Sequence, residues 1–514
     1  MLDTIYNLLA WIPPWAYIAV VMPMFIMLPT VGLSTLLERK VASWVQDRLG
    51  PNRAGHKLPF FEKVPKFLHK PLSLLQVGAD GLKFFTKEDY RAKNVDRILF
   101  SLGPALMVVI VMVAVAIVPW AGTKGTRSTL TLAAGDVPAA VIEASLPRHH
   151  SLVGTPTITL VESPADDAPA VSADKPLSAA ATVAYTHGWR FQVASLDIGV
   201  LFAVSVLSLA VYGVVIGGWA SNNKYSFLGG LRACANMISY EIPLGLSILA
   251  VVVLFGTLDL HTIVEKQSHY WLGFIPAWNI FVMPAVALLF LVCLHAEANR
   301  APFDTAEAEQ ELVGGYHTEY SSMRFALFFL AEYFEMLVTS AILVSLFLGG
   351  WHLPYLDKLL PAYFGGVDPA HPGVTDSWIA LAVQWAVFYT KVVGIVFIFM
   401  WTRWSLPRFR FDQILSIAWH GLIPMSIALL GVSTLAVWFF GMSDRSAGGM
   451  SGTLTVPMGL AILAGNIAIL VAAVLLGKAL SGDPATPPNK RLRIPGSRFA
   501  NSPLPAGVTN SNKL

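Results

Sequence analysis

Apolar positions in this chain gather in long unbroken runs separated by polar text. They do not alternate every second residue, as a half-buried strand would. A window of about 19 residues resolves the runs that could cross a hydrocarbon core of about 30 Å. There are nine: Trp15–Leu37, Ile98–Trp120, Ile198–Ala220, Ile238–Leu258, Ile275–Ala296, Phe325–Leu348, Trp378–Trp401, Ile414–Phe440 and Val456–Leu480. The last is diluted by glycines and Asn466. The pattern predicts an all-α, polytopic integral membrane protein with about nine transmembrane helices, some tilted or kinked, because helices satisfy their own backbone groups in lipid. Met1–Ala10 contains Asp3 and no basic n-region, so the first run reads as a retained helix, not a cleaved signal.

Composition supports this reading. Hydrophobic residues make up 55% of the 514, charged residues 13%, and the mean hydropathy is +0.60. An ordinary soluble domain carries about 25% charge. The deficit excludes a disordered chain, a basic nucleic-acid binder and an ordinary cytosolic enzyme. Of 35 Lys and Arg, 26 lie on the side reached after odd-numbered runs, 8 lie on the other side, and Lys391 lies inside a run. The positive-inside rule then places the N-terminus outside and the C-terminus in the cytoplasm.

The chain divides accordingly. Residues 1–97 hold the first helix and an amphipathic cytoplasmic loop, and 98–120 the second helix. Residues 121–197 form an outer insert rich in Ala, Pro, Ser, Thr and Val. Residues 198–440 hold helices three to eight, with an acidic cytoplasmic loop at 298–324. An additional helix occupies 441–480, and 481–514 reads as a disordered tail with a basic cluster at Lys490, Arg491 and Arg493.

Cys234 and Cys293 are the only cysteines, with no CxxC or Cys/His cluster. The chain alone has no ligand set for an iron–sulfur cluster or structural zinc. It also lacks the dinucleotide glycine fingerprint and the phosphate loop. If electrons are handled, another subunit carries them.

Four inner segments hold specific text. In Glu38–Arg53, Val41, Trp44, Val45 and Leu49 fall on one helical face, so it reads as an interfacial amphipathic helix closed by Gly50-Pro51, or simply a basic anchor. Glu241, in Ser-Tyr-Glu-Ile-Pro, sits just inside the fourth run, where a carboxylate costs roughly 2.5–3.5 kcal/mol to insert. The stretch Glu297–Tyr320 carries Asp304, Glu307, Glu309, Glu311 and Glu319 on the side where bases prevail. Crowded carboxylates cannot all ionise cheaply, which suits proton relay; a solvated acidic loop is the plainer alternative. Glu332 and Glu335 then lie three apart in an apolar helix, and Lys391 in the next one. Intramembrane ionisable groups usually face a protein interior. The segment from Arg403 to Gln413 suits a surface clamp or a docking face, and His295 reads as a packed residue, not a metal ligand.

Together the segments ERKVASWVQDRLGPNRAG, ADGLKFFTKED, GWASNNKYSFLGGLRA, ISYEIP, EANRAPFDTAEAEQELVGGYHTEYSSM, FFLAEY and RWSLPRFRFDQ resemble the H subunit of the proton-translocating NADH–quinone oxidoreductase, respiratory complex I. They occur in the family's order and cover most of the runs, but not 121–190 or the tail. The resemblance implies a multi-pass subunit of the bacterial inner (plasma) membrane. It would enclose part of the ubiquinone or menaquinone channel and couple quinone reduction to proton translocation. The enzyme would be a translocase with no complete active site on this chain. Quinone would be the substrate, and NADH, FMN and iron–sulfur clusters would sit in partner subunits. Implied partners are the terminal iron–sulfur cluster subunit, the adjacent quinone-site subunit, small membrane-arm subunits and membrane lipids; nucleic acid is not among them. Carried over by motif, the acidic channel would use Glu241, Glu297, Glu307, Glu309, Glu311, Glu319 and Glu332. Glu38, Arg39, Arg48 and Arg53 would frame quinone access, with Asp80, Lys83, Arg300 and Asp304 near the peripheral arm.

The chain departs from the family at several points. His56–Leu72 intervenes where the family proceeds almost directly to a Leu-Leu-Gln segment, His420 stands where a lysine is common, and Glu335 has no family assignment. Two other readings share the architecture: the membrane anchor of an energy-converting hydrogenase-type complex, and a stand-alone secondary transporter. The second finds no repeated halves in the sequence.

Overall fold

The computed structural model describes residues 14–51, 75–132, 151–160, 181–271, 275–306, 312–355, 374–375, 377–446 and 456–480. The expected tail, the 56–72 stretch, Arg53, Glu307, Glu309 and Glu311 lie outside the described residues. The chain divides into two compact units, 1–469 and 470–514; in the second, the described residues 470–480 are helical.

Among the described residues, eight helices are long and apolar enough to cross a membrane. In chain order the helices are α1 (Ile18–Val45), the short α2 (Leu75–Thr86), α3 (Arg97–Val115), α4 (Gly199–Ala220), α5 (Lys224–Phe255), the short α6 (Leu260–Gln267), α7 (Pro284–Glu297), α8 (Ser322–Phe347), α9 (Trp378–Ser405), α10 (Phe411–Phe440) and α11 (Val456–Gly477). The chain is a multi-pass membrane protein. Helix α8 is the centre of the bundle, its apolar window 83% buried, and it packs against α1, α3, α7 and α9. The corresponding figure of 22% for α10 places it at the periphery. Helix α3 lies directly on α4, because Gly103 meets Gly213 and Gly217 and a side chain there would touch the opposing backbone.

Three boundaries differ from the sequence reading. Helix α1 runs through Glu38 to Val45 instead of ending at Leu37 and giving way to a separate interfacial helix. No proline or glycine stands between Leu37 and Val45, and Glu38 and Lys40 turn inward to partners. Helix α5 begins at Lys224, capped by the Asn223 side chain, so Gly229–Arg232 is helix and not loop. The fifth run breaks: a single turn at Asn279–Val282 is followed by Met283 in a non-helical conformation, and α7 starts at Pro284. With 14 residues, α7 is about 21 Å long, too short to span alone. Its early amide, Val286 N–H, donates to Asn466 Oδ1 of α11 at 3.4 Å. Asn466 in turn donates its amide to Ile462 O at 2.9 Å.

The outer insert adds a sheet to this helical protein. Strands β1 (Thr123–Leu132), β2 (Ser151–Leu160), β3 (Ala181–Arg190) and the two-residue β4 (Val374–Thr375) are ordered β2-β3-β1-β4. The β1–β3 and β2–β3 pairs are antiparallel, and β4 joins β1 in parallel. Thr and Val in these segments suit a pleated surface. Polar contacts fasten the sheet to the bundle's outer loops. Arg190 pairs with Asp259 at 2.8 Å, Gly122 N–H donates to Gln384 Oε1 at 3.2 Å, and Thr123 Oγ1 bonds His261 Nε2 at 3.2 Å.

His261 is fully buried beside Trp351, with Glu265 3.6 Å from its Nδ1. Burial, and then the charge of Arg190, hold its pKa well below the ordinary 6.5, so the ring is neutral despite Glu265. The unfolded segment would take up protons that the folded one refuses. Stability from this latch is therefore present above pH 6.5 and lost as the pH falls through that value. Limited proteolysis of the sheet should accelerate below that pH, and His261→Gln should flatten the dependence. An unchanged slope in the variant would remove His261 as its cause.

Candidate functional site

The site begins where α1 outruns the expected span. Glu38, 7% exposed, receives Arg403 from the last turn of α9, with Nη1 2.5 Å from Oε1. The Tyr333 hydroxyl of α8 donates to its other oxygen, Oε2. Arg300 Nη1 lies 3.7 Å from that same oxygen. Arg300 is aimed here by the turn that ends α7: Asn299 adopts φ +46° and Arg300 N–H donates to His295 O at 3.1 Å. The guanidinium sits 4.3 Å from the Tyr333 ring centre, and its Nη2 lies 3.8 Å from Glu332 Oε2. The Tyr316 hydroxyl donates to Glu332 Oε1 at 2.7 Å.

Two buried carboxylates thus share one buried guanidinium, and a second guanidinium flanks them. An ion taken out of water costs several kcal/mol, and one opposite charge at about 4 Å returns about 4 kcal/mol at an effective dielectric of 20. A cluster with matched charges and tyrosine donors is therefore tenable, whereas a lone carboxylate would not be. Asp304 and Arg408 add a second pair at 2.6 Å beside it. Phe409 N–H donates to Pro302 O at 3.1 Å, which seats the arginine-rich segment on the Asn-Arg-Ala-Pro-Phe-Asp turn.

A further group continues along α8. Glu335, 1% exposed, is one turn past Glu332 and interacts electrostatically with both Glu332 and Glu297. Glu297, the last residue of α7, is also buried. It shares a cavity of about 20 Å³ with Glu241 of α5 and Thr339 of α8. That is room for about one water. The Ser208 hydroxyl donates to Glu241. Carboxylates from α1, α8, α7 and α5 therefore follow one another through the protein interior.

The remaining sequence candidates stand apart from this cluster. Arg39 pairs with Asp80 at 2.8 Å, and Gln76 also donates to Asp80. Arg39 is half-exposed, Arg48 lies in the exposed turn after α1, and Lys83 lies on exposed α2. Glu319 accepts from Asn223 Nδ2 at 2.7 Å in an open pocket. Three cluster residues escaped sequence reasoning: Arg403, Tyr316 and Tyr333. Tyr333 adjoins Glu332 in the quoted FFLAEY text, which was the available signal. His295 is packed, bonded to Thr402 Oγ1 at 2.9 Å and stacked on Phe399.

A family profile described as NADH dehydrogenase matches residues 18–148 and 165–434. The matched ranges take in much of the outer insert, which the motif resemblance had left out, and stop before α11. The chain is 36% identical to the NADH-quinone oxidoreductase H subunit 1 of Cytophaga hutchinsonii, over 79% of this chain and 92% of that protein. It is 36% identical to the NADH-quinone oxidoreductase H subunit 2 of Koribacter versatilis, over 82% and 96%. It is 33% identical to NADH-quinone oxidoreductase subunit 8 of Rhodothermus marinus, over 80% and 94%. The profile's ranges include Glu38, Glu241, Glu297, Arg300 and Glu332, and the chain belongs to the NADH dehydrogenase family, among the H subunits of NADH–quinone oxidoreductases.

Proposed function

We propose that this chain forms part of the quinone channel of a bacterial plasma-membrane NADH–quinone oxidoreductase and couples quinone reduction to proton translocation. The basic face lies in the cytoplasm, where the subunit carrying the terminal iron–sulfur cluster and the adjacent quinone-site subunit dock. The observation that carries the reading is the buried line of carboxylates from Glu38, through Arg300 to Glu332 and Glu335, and on to Glu297 and Glu241.

A quinone that gains two electrons becomes a strong base. Tyrosine hydroxyls and carboxyls near it supply protons, and the two arginines stabilise the transient negative charge. Removing a proton from one carboxyl changes the field at the next, since neighbouring buried groups titrate as a unit. The water-sized cavity between Glu297 and Glu241 provides the step across which no direct contact is made. NADH, flavin and clusters belong to the partner subunits, so this chain's part is binding, orientation and proton handling. The acidic stretch Glu307, Glu309 and Glu311 adds further carboxyls of the same kind to the chain.

Glu332→Gln in the assembled complex tests the reading. It keeps the Tyr316 contact and the shape but removes the titratable charge. Quinone-linked NADH oxidation should fall about a hundredfold or more, the range of one general acid–base group. NADH oxidation by an artificial acceptor that draws on the flavin should not change. Full quinone-linked turnover and pumping in this variant would exclude Glu332 from the relay.

A further inference from the structure

A pocket of about 450 Å³ opens on the basic face, apart from the buried carboxylates, with Lys93, Asn94, Asn222, Lys224 and Glu319 among its lining residues. Its position in the membrane follows from the chain. Lys93 and Asn94 shortly precede α3, Asn222 joins α4 to α5, and Lys224 is the first residue of α5. Three spans end around it, which places it at head-group depth. Trp219, 65% exposed, and Tyr225, 40% exposed, flank it in the chain and suit the aromatic belt of a membrane surface. Ile98, 79% exposed in the first turn of α3, follows three residues after Val95 of the lining and presents apolar surface.

The rim is held in place by polar contacts. Asn222 adopts φ +49°. The Asn223 side chain accepts from Tyr225 N–H at 3.0 Å and donates to Glu319 Oε1 at 2.7 Å. Glu319 Oε2 has no hydrogen-bond partner among the described residues. Lys224 lies 5.2 Å from the Tyr225 ring centre. The pocket therefore offers two ammonium groups and, within the same wall, one half-buried carboxylate.

We propose that this pocket binds the head group of an aminophospholipid, with the phosphodiester at Lys93 and Lys224 and the primary ammonium at Glu319. A purely anionic head group would meet the lysines but be repelled by Glu319. A choline head group carries the right charges but has no N–H to donate to the carboxylate. A primary amine satisfies both, and the acyl chains run down the wall that begins at Ile98 and Trp219. This assignment does not rest on the quinone reading.

The test uses the assembled complex containing the full chain. It is equilibrated in lipid discs of phosphatidylethanolamine, phosphatidylglycerol and phosphatidylcholine in equal parts, and the lipid retained after delipidation is quantified by native mass spectrometry. A photoreactive phosphatidylethanolamine maps the contact. The wild type should retain phosphatidylethanolamine several-fold over the other two and crosslink within residues 92–95 or 221–224. Each lysine is worth roughly fivefold at an anionic head group. Lys93→Gln with Lys224→Gln should therefore lower retention by at least an order of magnitude, and the double arginine variant should keep it. Glu319→Gln should keep phospholipid but erase the preference for the amine over phosphatidylglycerol. Equal retention of the three lipids by the wild type, or unchanged retention in the double glutamine variant, would overturn the proposal. So would a crosslink from the pocket to a protein partner in place of lipid.

Discussion

Arg300→Met is expected to lower the stability of this chain by about 3–5 kcal/mol, the cost of breaking a buried pair and leaving a charge unpaired. Arg300 is 5% exposed and presents one guanidinium nitrogen to Glu38 and the other to Glu332. Glu38 would keep Arg403 and Tyr333, whereas Glu332 would keep the Tyr316 hydroxyl and only the more distant charge of Arg403. The measurement is the melting temperature and yield of the complex that contains the variant. Arg300→Lys should recover only part of the loss, because one ammonium cannot replace a planar fork that addresses two carboxylates. Adding Glu332→Gln to Arg300→Met should restore some stability, since the orphaned charge is then gone, and the double-mutant cycle isolates that coupling. A change within about 0.5 kcal/mol for Arg300→Met, the range of an ordinary surface substitution, would show that the guanidinium is not the cluster's counter-charge. In the complex that does assemble, quinone-linked turnover should fall more than in Glu332→Gln, because two carboxylates lose their shared cation.

Lys391→Met should have the second-largest effect, with a loss of roughly 2–4 kcal/mol from several orphaned carbonyls and a lost cation–π contact. The Lys391 ammonium of α9 donates to Leu348 O at 2.8 Å, Gly350 O at 2.9 Å and His352 O at 2.7 Å. These carbonyls belong to the turn that follows α8, where Gly349 and Gly350 both have positive φ. The ammonium also lies 4.2 Å from the Trp278 ring centre. A helix end leaves its last carbonyls without amide partners, and in lipid no bulk water meets them. Lys391 meets that need and ties α9 to the outer end of α8, while Glu38 of α1 links the same two helices further in, through Arg403 and Tyr333. Thermal unfolding of the purified complex reads the effect. Lys391→Arg should not rescue it, because a planar fork does not fit three converging carbonyls. Wild-type stability in the methionine variant would mean that the carbonyls find other donors.

The sequence told some of this directly. Long apolar runs and a shortage of charge were sufficient for the membrane helices, because exclusion of charge is enforced residue by residue along a span. Glu38, Arg300 and Glu332 were reachable because each sits in distinctive local text. Arg403 was not, because an arginine at the cytoplasmic end of a helix is the commonest thing for such a helix to have. Only the fold brings it to Glu38, 365 positions away. Lys391 stood out as an intramembrane charge, yet its partners are backbone carbonyls, which carry no side-chain signature. The broken fifth run was hidden for a related reason. Pro276 and Pro284 are visible in the sequence, but proline is tolerated in the first turn of a helix, so their presence alone does not distinguish a break from a start. The sheet in the outer insert was masked by a composition rich in Ala, Pro and Ser as well as Thr and Val.

Asn466 is a polar residue in the middle of the apolar run Val456–Leu480. Its side chain reaches the buried start of α7, the short helix whose far end carries Glu297 and leads to Arg300. The terminal helix, which lies past the matched family region, is thereby wired into the element that aims the central arginine. Trimming the chain back to its family-matched length would leave an amide bare in the middle of the protein and loosen a lever whose other end is the carboxylate cluster. By one amide contact, Asn466 of a helix outside the profile's match supports the machinery inside it.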